Sequence, residues 1–246
     1  MSKKPRESAE GNLARRRSTR RVVVGGVAVG GGAPVSVQSM TSTATADLRA
    51  TLRQIRILER AGCEIVRVAV PDMEAAEAIP YLRRRIHIPL VADIHFDYRL
   101  ALRAIELGAD KIRINPGNIG SEERFVAVLK AAKERGIPLR IGVNSGSLEK
   151  PLLKKHGGVC ADALVESARN HLRVCEDQGF DRVVLSIKAS RVDLMIRANR
   201  MLSAAVDYPI HLGVTEAGPL RSGEIRSAVG IGTLLAEGIG DTIRVS

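Results

Sequence analysis

Aromatic side chains are almost missing from this sequence. Trp is absent, and Phe and Tyr contribute 2% of the 246 residues. Single-stranded nucleic acids are usually bound by stacking their bases on aromatic side chains, so this composition argues against a base-stacking module. The 45% of hydrophobic residues are mainly Val, Ile, Leu and Ala, which suits a core of packed strands and helices.

Cysteine pairs and long apolar runs are absent as well. Cys63, Cys160 and Cys175 stand far apart with no Cys-x-x-Cys pair, which predicts buried or incidental thiols rather than a metal site. Residues 22–46 are uncharged but rich in Gly, Ser and Thr, and they fall short of the roughly 20 predominantly apolar residues of a membrane span. No apolar segment typical of a secretion signal follows the N-terminus. We therefore expect a reduced, cytoplasmic protein without a membrane segment.

Acidic residues are outnumbered, but the imbalance is uneven along the chain. The net charge is +11, and residues 1–21 hold eight basic and two acidic side chains, which leaves +5 for residues 22–246. A polar, basic segment with almost no large apolar residues predicts a flexible tail over residues 1–21. An arm that binds nucleic acid or a membrane surface is the alternative interpretation of this segment.

From Val35 onward, short β-branched runs alternate with helical patterns. One helical pattern follows Asp97, a candidate N-cap, and places apolar side chains at Tyr98, Ala101, Leu102 and Ile105. Glycines predict the ends of five helices, at Gly62, Gly108, Gly136, Gly179 and Gly238. Strands are predicted near residues 35–40, 64–70, 89–94, 110–114, 138–143, 182–187, 210–214 and 241–245.

Eight strands with seven helical connections predict an α/β fold, a TIM (β/α)8 barrel. The alternative, an open doubly wound sheet, usually has fewer strands and a glycine fingerprint after the first one, whereas the glycines at 30–32 precede a strand. Residues 22–29 predict an N-terminal β-hairpin around a Gly-Gly turn. The predicted units are a tail over 1–21 and a barrel over 22–246. Because no helix follows the last strand, we expect a piece of a longer protein.

Polar side chains concentrate at the carboxyl ends of the predicted strands, where barrels of this kind have their active sites. Asp93 and His95 lie two residues apart and therefore share a face. The other candidates are Arg67, Arg113, Asn115, Arg140, Asn144, Lys188, Glu216, Arg244 and Ser246. Five of these residues are cations, and guanidinium groups suit phosphate oxygens. The pattern predicts a polyanionic small molecule, such as a diphosphate, although a single Arg on a strand often forms only a structural ion pair.

Two candidates keep alternative interpretations on these grounds. His95 is either a histidine of the core or a catalytic group paired with Asp93. Glu216 follows a strand beside glycine, and it either acts as an acid or base or balances a neighbouring cation such as Lys188.

Six long motifs, over residues 34–41, 61–68, 92–97, 111–118, 140–147 and 213–218, carry a resemblance. From about Thr19 to Ser246 the chain resembles 4-hydroxy-3-methylbut-2-enyl diphosphate synthase, of the non-mevalonate isoprenoid pathway. That family converts 2-C-methyl-D-erythritol 2,4-cyclodiphosphate to the linear allylic diphosphate by a two-electron reductive dehydroxylation. Its N-terminal domain is a TIM barrel that holds the cyclic diphosphate.

The resemblance also implies roles for the candidate residues. Diphosphate ligands would be Arg113, Arg140, Lys188 and Ser246, and Arg244 belongs to the same basic rim. Asn115 and Asn144 would contact the substrate, with Arg67, Asp93 and His95 nearby. Glu216 matches the acidic residue thought to donate a proton near the leaving hydroxyl.

One departure from the family concerns its cofactor. The family's second domain carries a [4Fe-4S] cluster on three cysteines, beginning with Cys-x-x-Cys, and a glutamate, and flavodoxin or ferredoxin supplies the electrons. Cys63, Cys160 and Cys175 do not match that spacing, so we expect no metal site in this chain. We therefore expect the chain alone to bind substrate without turning it over. Homodimers are implied by the family, in which one chain's cluster domain covers its partner's barrel.

Two other functions remain open from the sequence. A pterin-dependent transferase of the dihydropteroate synthase type would share the barrel architecture. A nucleic-acid binder would use the basic tail, and its affinity would fall steeply with salt.

Overall fold

The structure is a computed structural model that describes residues 14–246. Two antiparallel strands, β1 (Val22–Val24) and β2 (Val27–Val29), form the predicted hairpin. Eight parallel strands follow: β3 (Ser36–Met40), β4 (Ile65–Ala69), β5 (Leu90–Asp93), β6 (Lys111–Ile114), β7 (Leu139–Asn144), β8 (Val183–Lys188), β9 (His211–Leu212) and β10 (Thr242–Ile243).

Helices occupy all seven connections between the parallel strands, as predicted, but three connections contain two helices. The helices are α1 (Leu48–Arg60), α2 (Met73–Glu77), α3 (Ile79–Arg83), α4 (Tyr98–Glu106), α5 (Pro116–Ile119), α6 (Glu122–Arg135), α7 (Lys150–His156), α8 (Ala161–Asp177), α9 (Val192–Ala205) and α10 (Leu220–Ala236). A short 3₁₀ turn, Ser145–Ser147, follows β7.

The parallel strands close into a barrel. Their order is β8-β7-β6-β5-β4-β3-β10-β9, and a parallel bridge between Leu185 and Ile210 joins the two ends. At this junction the Leu185 N–H donates to the carbonyl of Pro209 at 2.9 Å. The predicted TIM barrel with an N-terminal hairpin is therefore confirmed.

Local chemistry explains where the helices begin and end. The Asp97 side chain accepts a hydrogen bond from the Arg99 N–H at 2.9 Å and caps α4, as predicted. Ala101 and Ile105 are buried against the barrel, whereas Tyr98 and Leu102 are half-buried at the edge of that face. All five predicted terminal glycines have positive φ, the conformation that ends a helix at little steric cost.

The hairpin covers the N-terminal end of the barrel. Val22, Val24 and Val29 pack against three residues that point into the barrel from its strands, Ile65, Val91 and Val184. Removing an apolar side chain of this size from water contributes roughly 1.5–3 kcal/mol. The barrel is therefore closed at this end by an apolar plug.

Residues 16–20, here called the N-terminal strap, run beside the plug. The Arg17 guanidinium donates to the carbonyls of Ser203, Val206 and Tyr208 around the C-terminal end of α9, and Arg16 forms an ion pair with Asp241 at 3.2 Å. The Ser203 carbonyl belongs to the last turn of α9, where a helix leaves acceptors unpaired, and Val206 and Tyr208 follow the helix. The prediction of a flexible tail over 1–21 thus differs from the structure at the strap, and its residues 1–13 lie outside the described part of the chain.

Candidate functional site

Charged side chains fill the interior of the barrel above the plug. Side chains that point into a (β/α)8 barrel form layers of four, contributed by alternate strands. The strand register places Gln38, Val91, Arg140 and His211 in one layer and Arg67, Arg113, Ser186 and Arg244 in the layer above it. Lys111 lies one layer below Arg140 and is fully buried. Polar and charged groups thus occupy layers that branched apolar residues usually fill.

Asp93 is the centre of the ion pairs in this interior. Its carboxylate lies 3.1 Å from Nη1 of Arg113 and 3.5 Å from Nε of Arg67, and its Oδ2 is 3.3 Å from Nε2 of His95. Burial alone would raise the pKa of Asp93, but the His95 hydrogen bond and the two guanidinium groups hold that pKa far below its usual range. Asp93 is therefore ionised, and it fixes two arginines.

The remaining cations have no comparable counter-charge. Among the described residues the other buried carboxylate, Asp241, precedes β10 at the opposite end of the barrel and binds Arg16. Nε and Nη1 of Arg140 are buried without a hydrogen-bond partner, and so is Nζ of Lys111. A buried charge without a partner is costly. The described interior therefore carries an excess of positive charge.

The excess of positive charge lowers the pKa values of the buried cations. Burial, together with the charges of Arg67 and Arg113, lowers the pKa of Arg140 well below its usual value, and burial with the charges of Arg140 and Arg67 does the same for Lys188. For Lys111, burial and the charge of Arg140 lower the pKa to about 7. Each cation lowers the pKa of its neighbours. A bound polyanion would therefore raise the pKa of all of them at once.

Two glycines give the cations room. A Cβ at Gly142 would lie 3.0 Å from Nε of Arg113, and a Cβ at Gly213 would lie 2.7 Å from Nζ of Lys188 and 2.8 Å from the carbonyl oxygen of Arg244. Both glycines belong to motifs that carry the family resemblance. They leave the space into which the Arg113 and Lys188 head groups extend.

A cavity of about 540 Å³ opens at the carboxyl ends of the strands. Its lining includes His95, Arg113, Asn144, Ser147, Leu194 and Glu216. Glu216 has φ +51°, the only positive φ of a non-glycine residue in the described chain. Such a conformation typically costs about 1–3 kcal/mol and is found at functional sites more often than elsewhere.

Of the predicted residues, His95, Arg113, Asn144 and Glu216 line the cavity, and the others lie in the barrel interior or around its rim. Arg67, Asp93, Arg113, Arg140 and Lys188 are buried in its interior, and Arg244 is half-buried there. The His95 side chain is 50% exposed, so its interpretation as a core histidine is wrong. Asn144 faces the cavity, whereas the Asn115 amide donates to Oγ of Ser147 at 2.8 Å. Ser246 is exposed, and its carbonyl oxygen lies 3.1 Å from the Cβ position of Gly223 in α10.

The predicted site residues leave out the deepest groups of the site. Lys111 has the same strand parity as Arg113, so alternation along β6 could have identified it. His211 is fully buried with both ring nitrogens unpartnered, and burial followed by the charges of Arg140 and Lys188 lowers its pKa well below the usual value. His211 is therefore neutral. The Gln38 amide, also buried and unpartnered, completes this set.

The cysteines do not fit an iron–sulfur cluster. Within residues 14–246 no three His, Cys, Asp or Glu side chains are grouped as metal ligands would be. Cys63 and Cys175 are buried, and burial raises the pKa of both thiols, which opposes the thiolate form that binds iron. No helix in that range has the length and apolar character needed to cross a bilayer.

Solved structures show the same fold at low sequence identity. Dihydropteroate synthase from Yersinia pestis superposes with a TM-score of 0.64 at 14% identity, covering 92% of each chain. 3-Dehydroquinate dehydratase from Geobacillus kaustophilus superposes with a TM-score of 0.66 at 14% identity, covering 92% of this chain and 88% of that one. At this identity the likeness extends to the fold alone.

Sequence relatives are much more similar. Two proteins named 4-hydroxy-3-methylbut-2-en-1-yl diphosphate synthase (flavodoxin) are 60% identical over 95% of this chain, in Symbiobacterium thermophilum, and 59% identical over 96%, in Geobacillus kaustophilus. The chain spans 63% of the length of each relative. The model of the family described as GcpE TIM-barrel domain matches residues 19–246. This chain belongs to that family.

Proposed function

We propose that this chain is the substrate-binding barrel of a 4-hydroxy-3-methylbut-2-enyl diphosphate synthase and binds 2-C-methyl-D-erythritol 2,4-cyclodiphosphate at its mouth. One observation carries the proposal. Buried cations occupy the barrel interior from Arg113 at the cavity down to Lys111, and Asp93 is the only buried carboxylate among them in the described chain. A cyclic diphosphate supplies the missing negative charge in a compact form, and guanidinium groups bind its oxygens in pairs.

Each residue then has a physical role. Arg113, Arg140, Lys188 and Arg244 bind phosphate oxygens, and Ser246 joins them at the rim. Asp93 acts through Arg67 and Arg113, because a carboxylate in contact with phosphate would be repulsive. Asn144 and Asn115 orient the carbon skeleton, and His95 lies beside it.

Glu216 is proposed to deliver a proton to the leaving hydroxyl, which departs as water. Its place on the cavity wall and its strained backbone both support a fixed position above the ligand. The described residues hold no site for the family's [4Fe-4S] cluster, so we assign binding and proton delivery to this barrel and no electron transfer. Flavodoxin or ferredoxin as electron donor, a homodimer and a cytoplasmic location are proposed for the whole enzyme from the family resemblance.

Calorimetry with the cyclic diphosphate tests the proposal. We expect binding that weakens at least about tenfold in Arg140→Met, since a hydrogen bond to a charged group contributes about 1.5–3 kcal/mol. Arg103→Met is the matched control, because Arg103 binds Glu77 and Glu106 on the helical surface. Absence of binding to the wild-type chain, or binding of a pterin in its place, would refute the proposal. A pterin transferase is not proposed, because only the fold supports it.

A further inference from the structure

Glu149 lies behind the mouth, in the segment between the 3₁₀ turn and α7. Its Oε1 accepts hydrogen bonds from Nε2 of His171 at 2.6 Å and from Oγ of Ser167 at 2.9 Å, both on α8. Its Oε2 is buried without a partner. Burial alone would raise the pKa of Glu149, but the hydrogen bonds from His171 and Ser167 hold it below the usual value. The carboxylate is therefore ionised, and it is bound on one side to α8.

The same carboxylate also lies beside the neighbouring loop after β6. A Cβ at Gly117 would lie 3.3 Å from Oε1 of Glu149, so the α5 turn approaches Glu149 closely at a residue without a side chain. This turn begins at Asn115, whose Oδ1 accepts from the Gly117 N–H at 3.2 Å. Asn115 in turn donates to Oγ of Ser147, two residues before Glu149. The loops after β6 and β7 are thus joined by the Asn115–Ser147 hydrogen bond and approach each other closely where Glu149 faces Gly117.

These two loops carry part of the cavity wall. Asn118 lies in the first loop, and Ser145, Gly146 and Ser147 lie in the second, and all four line the cavity. Glu149 itself is not part of the lining. Its contacts therefore act on the ligand site through other residues.

We propose that Glu149 is a positioning residue, which fixes the loops after β6 and β7 to α8 and thereby sets the places of Asn115 and Asn144 for the ligand. Ser147 connects the two, because its Oγ accepts from the Asn115 amide and donates to the Asn144 carbonyl at 3.5 Å. The proposal rests on the proposed function, since it assigns to Glu149 a part in binding the same cyclic diphosphate. His171 is held in turn by Phe125 of α6, with the two rings edge to face at 6.3 Å between centroids. Glu149 is thus attached to a rigid support, as an accurately placed site requires.

The chain contains a matched control for this arrangement. Glu166 on α8 accepts hydrogen bonds from Nε2 of His156 at 2.8 Å and from Nζ of Lys155 at 2.7 Å. The Glu166–His156 pair also joins α7 to α8. Neither of these two residues forms a hydrogen bond with the loop after β6 among the described residues. Loss of Glu166 therefore removes a comparable Glu–His contact without disturbing the mouth.

The experiment compares Glu149→Ala, Glu149→Gln and Glu166→Ala in the full chain. Calorimetry with 2-C-methyl-D-erythritol 2,4-cyclodiphosphate gives affinity, thermal unfolding gives stability, and ¹H–¹⁵N NMR follows the side-chain amide of Asn115, identified by its loss in Asn115→Asp. We expect Glu149→Ala to weaken binding by about tenfold, which corresponds to one hydrogen bond at the site, and to shift the Asn115 amide signal. Glu149→Gln keeps an acceptor oxygen and should restore part of the affinity, while Glu166→Ala should leave affinity and the Asn115 signal unchanged.

Other results would overturn the proposal. One such result is wild-type affinity with an unmoved Asn115 signal in Glu149→Ala, and another is an equal loss of affinity in Glu166→Ala. Either result would mean that Glu149 only stabilises the fold and does not position the loops. If Glu149→Ala does not fold, Ser167→Ala removes one of the same bonds and is judged by the same readouts. If the wild-type chain binds no cyclic diphosphate, the proposed function fails, while the Asn115 signal still decides whether Glu149 positions the loop.

Discussion

Replacing Lys111 with methionine should stabilise the protein and should remove part of its pH dependence. Lys111 is fully buried beneath Arg140 with no partner for its ammonium group, and its pKa is lowered from 10.5 to about 7. At 1.36 kcal/mol per pKa unit, that drop means that the charged form costs the folded state roughly 5 kcal/mol. Methionine keeps the length of the side chain and removes the charge.

The sign of the effect follows from the protons bound in each state. Below pH 7, Lys111 is charged in both the folded and the unfolded chain, so the whole cost is present. Between pH 7 and about 10.5 the folded amine is neutral while the unfolded amine still binds a proton, so stability rises with pH. By linkage, the cost falls from roughly 5 kcal/mol at pH 6 to roughly 2 kcal/mol at pH 9. The stability difference between Lys111→Met and the wild type should shrink by roughly 3 kcal/mol over this interval.

Urea denaturation at pH 6, 7.5 and 9 measures this difference, and titrating groups that do not interact with Lys111 cancel in the comparison. Lys130→Met, at an exposed position of α6, is the control and should show a constant difference. A Lys111→Met difference that does not change between pH 6 and 9 would refute the reasoning.

A second measurement uses the ligand. Because a bound polyanion raises the pKa of Lys111, calorimetry of the cyclic diphosphate in buffers of different ionisation enthalpy should detect proton uptake near pH 7, and this uptake should be smaller in Lys111→Met.

Three further predictions concern the mouth and the strap. Gly213→Ala should weaken binding of the cyclic diphosphate by about tenfold or more in calorimetry, because its methyl group meets the Arg244 carbonyl oxygen at 2.8 Å, whereas Gly232→Ala meets nothing within 4 Å and should bind normally. Glu216→Gly should raise the unfolding free energy by about 0.5–1 kcal/mol by releasing the positive φ, while reductive turnover of the complete enzyme is lost; unchanged turnover would exclude Glu216 as proton donor. Arg17→Ala should lower the unfolding free energy by about 1–3 kcal/mol, since carbonyls at the end of α9 lose their donor, and a change within 0.5 kcal/mol would contradict the capping role.

The architecture could be predicted because it depends on local signals. Alternation of apolar runs with helical spacing located every barrel strand, and Asp97 and the terminal glycines marked helix ends. The strap was missed because Arg17 is anchored by carbonyls near residue 206, nearly 190 positions away in the chain, and Arg16 by Asp241. Composition near the N-terminus contains no trace of such a distant contact.

The candidate site was predictable only in part. Strand ends indicated Arg67, Asp93 and Arg113, since barrel chemistry is found there. In the layer beneath them Arg140 was indicated, but Lys111 one layer lower was not, because barrel interiors are usually apolar and a lysine at the start of a strand is typically exposed. The left-handed backbone of Glu216 and the contact between Asn115 and Ser147 depend on how separate loops meet, which no single stretch of sequence encodes.

The apolar hairpin covers the N-terminal end of the barrel, so the barrel interior opens to solvent at its C-terminal end. Because the hairpin covers the opposite end, we expect water and protons to reach Lys111 from the mouth, past Arg113. A ligand bound at the mouth would cover this approach, so proton exchange at Lys111 should be slower for as long as the ligand stays.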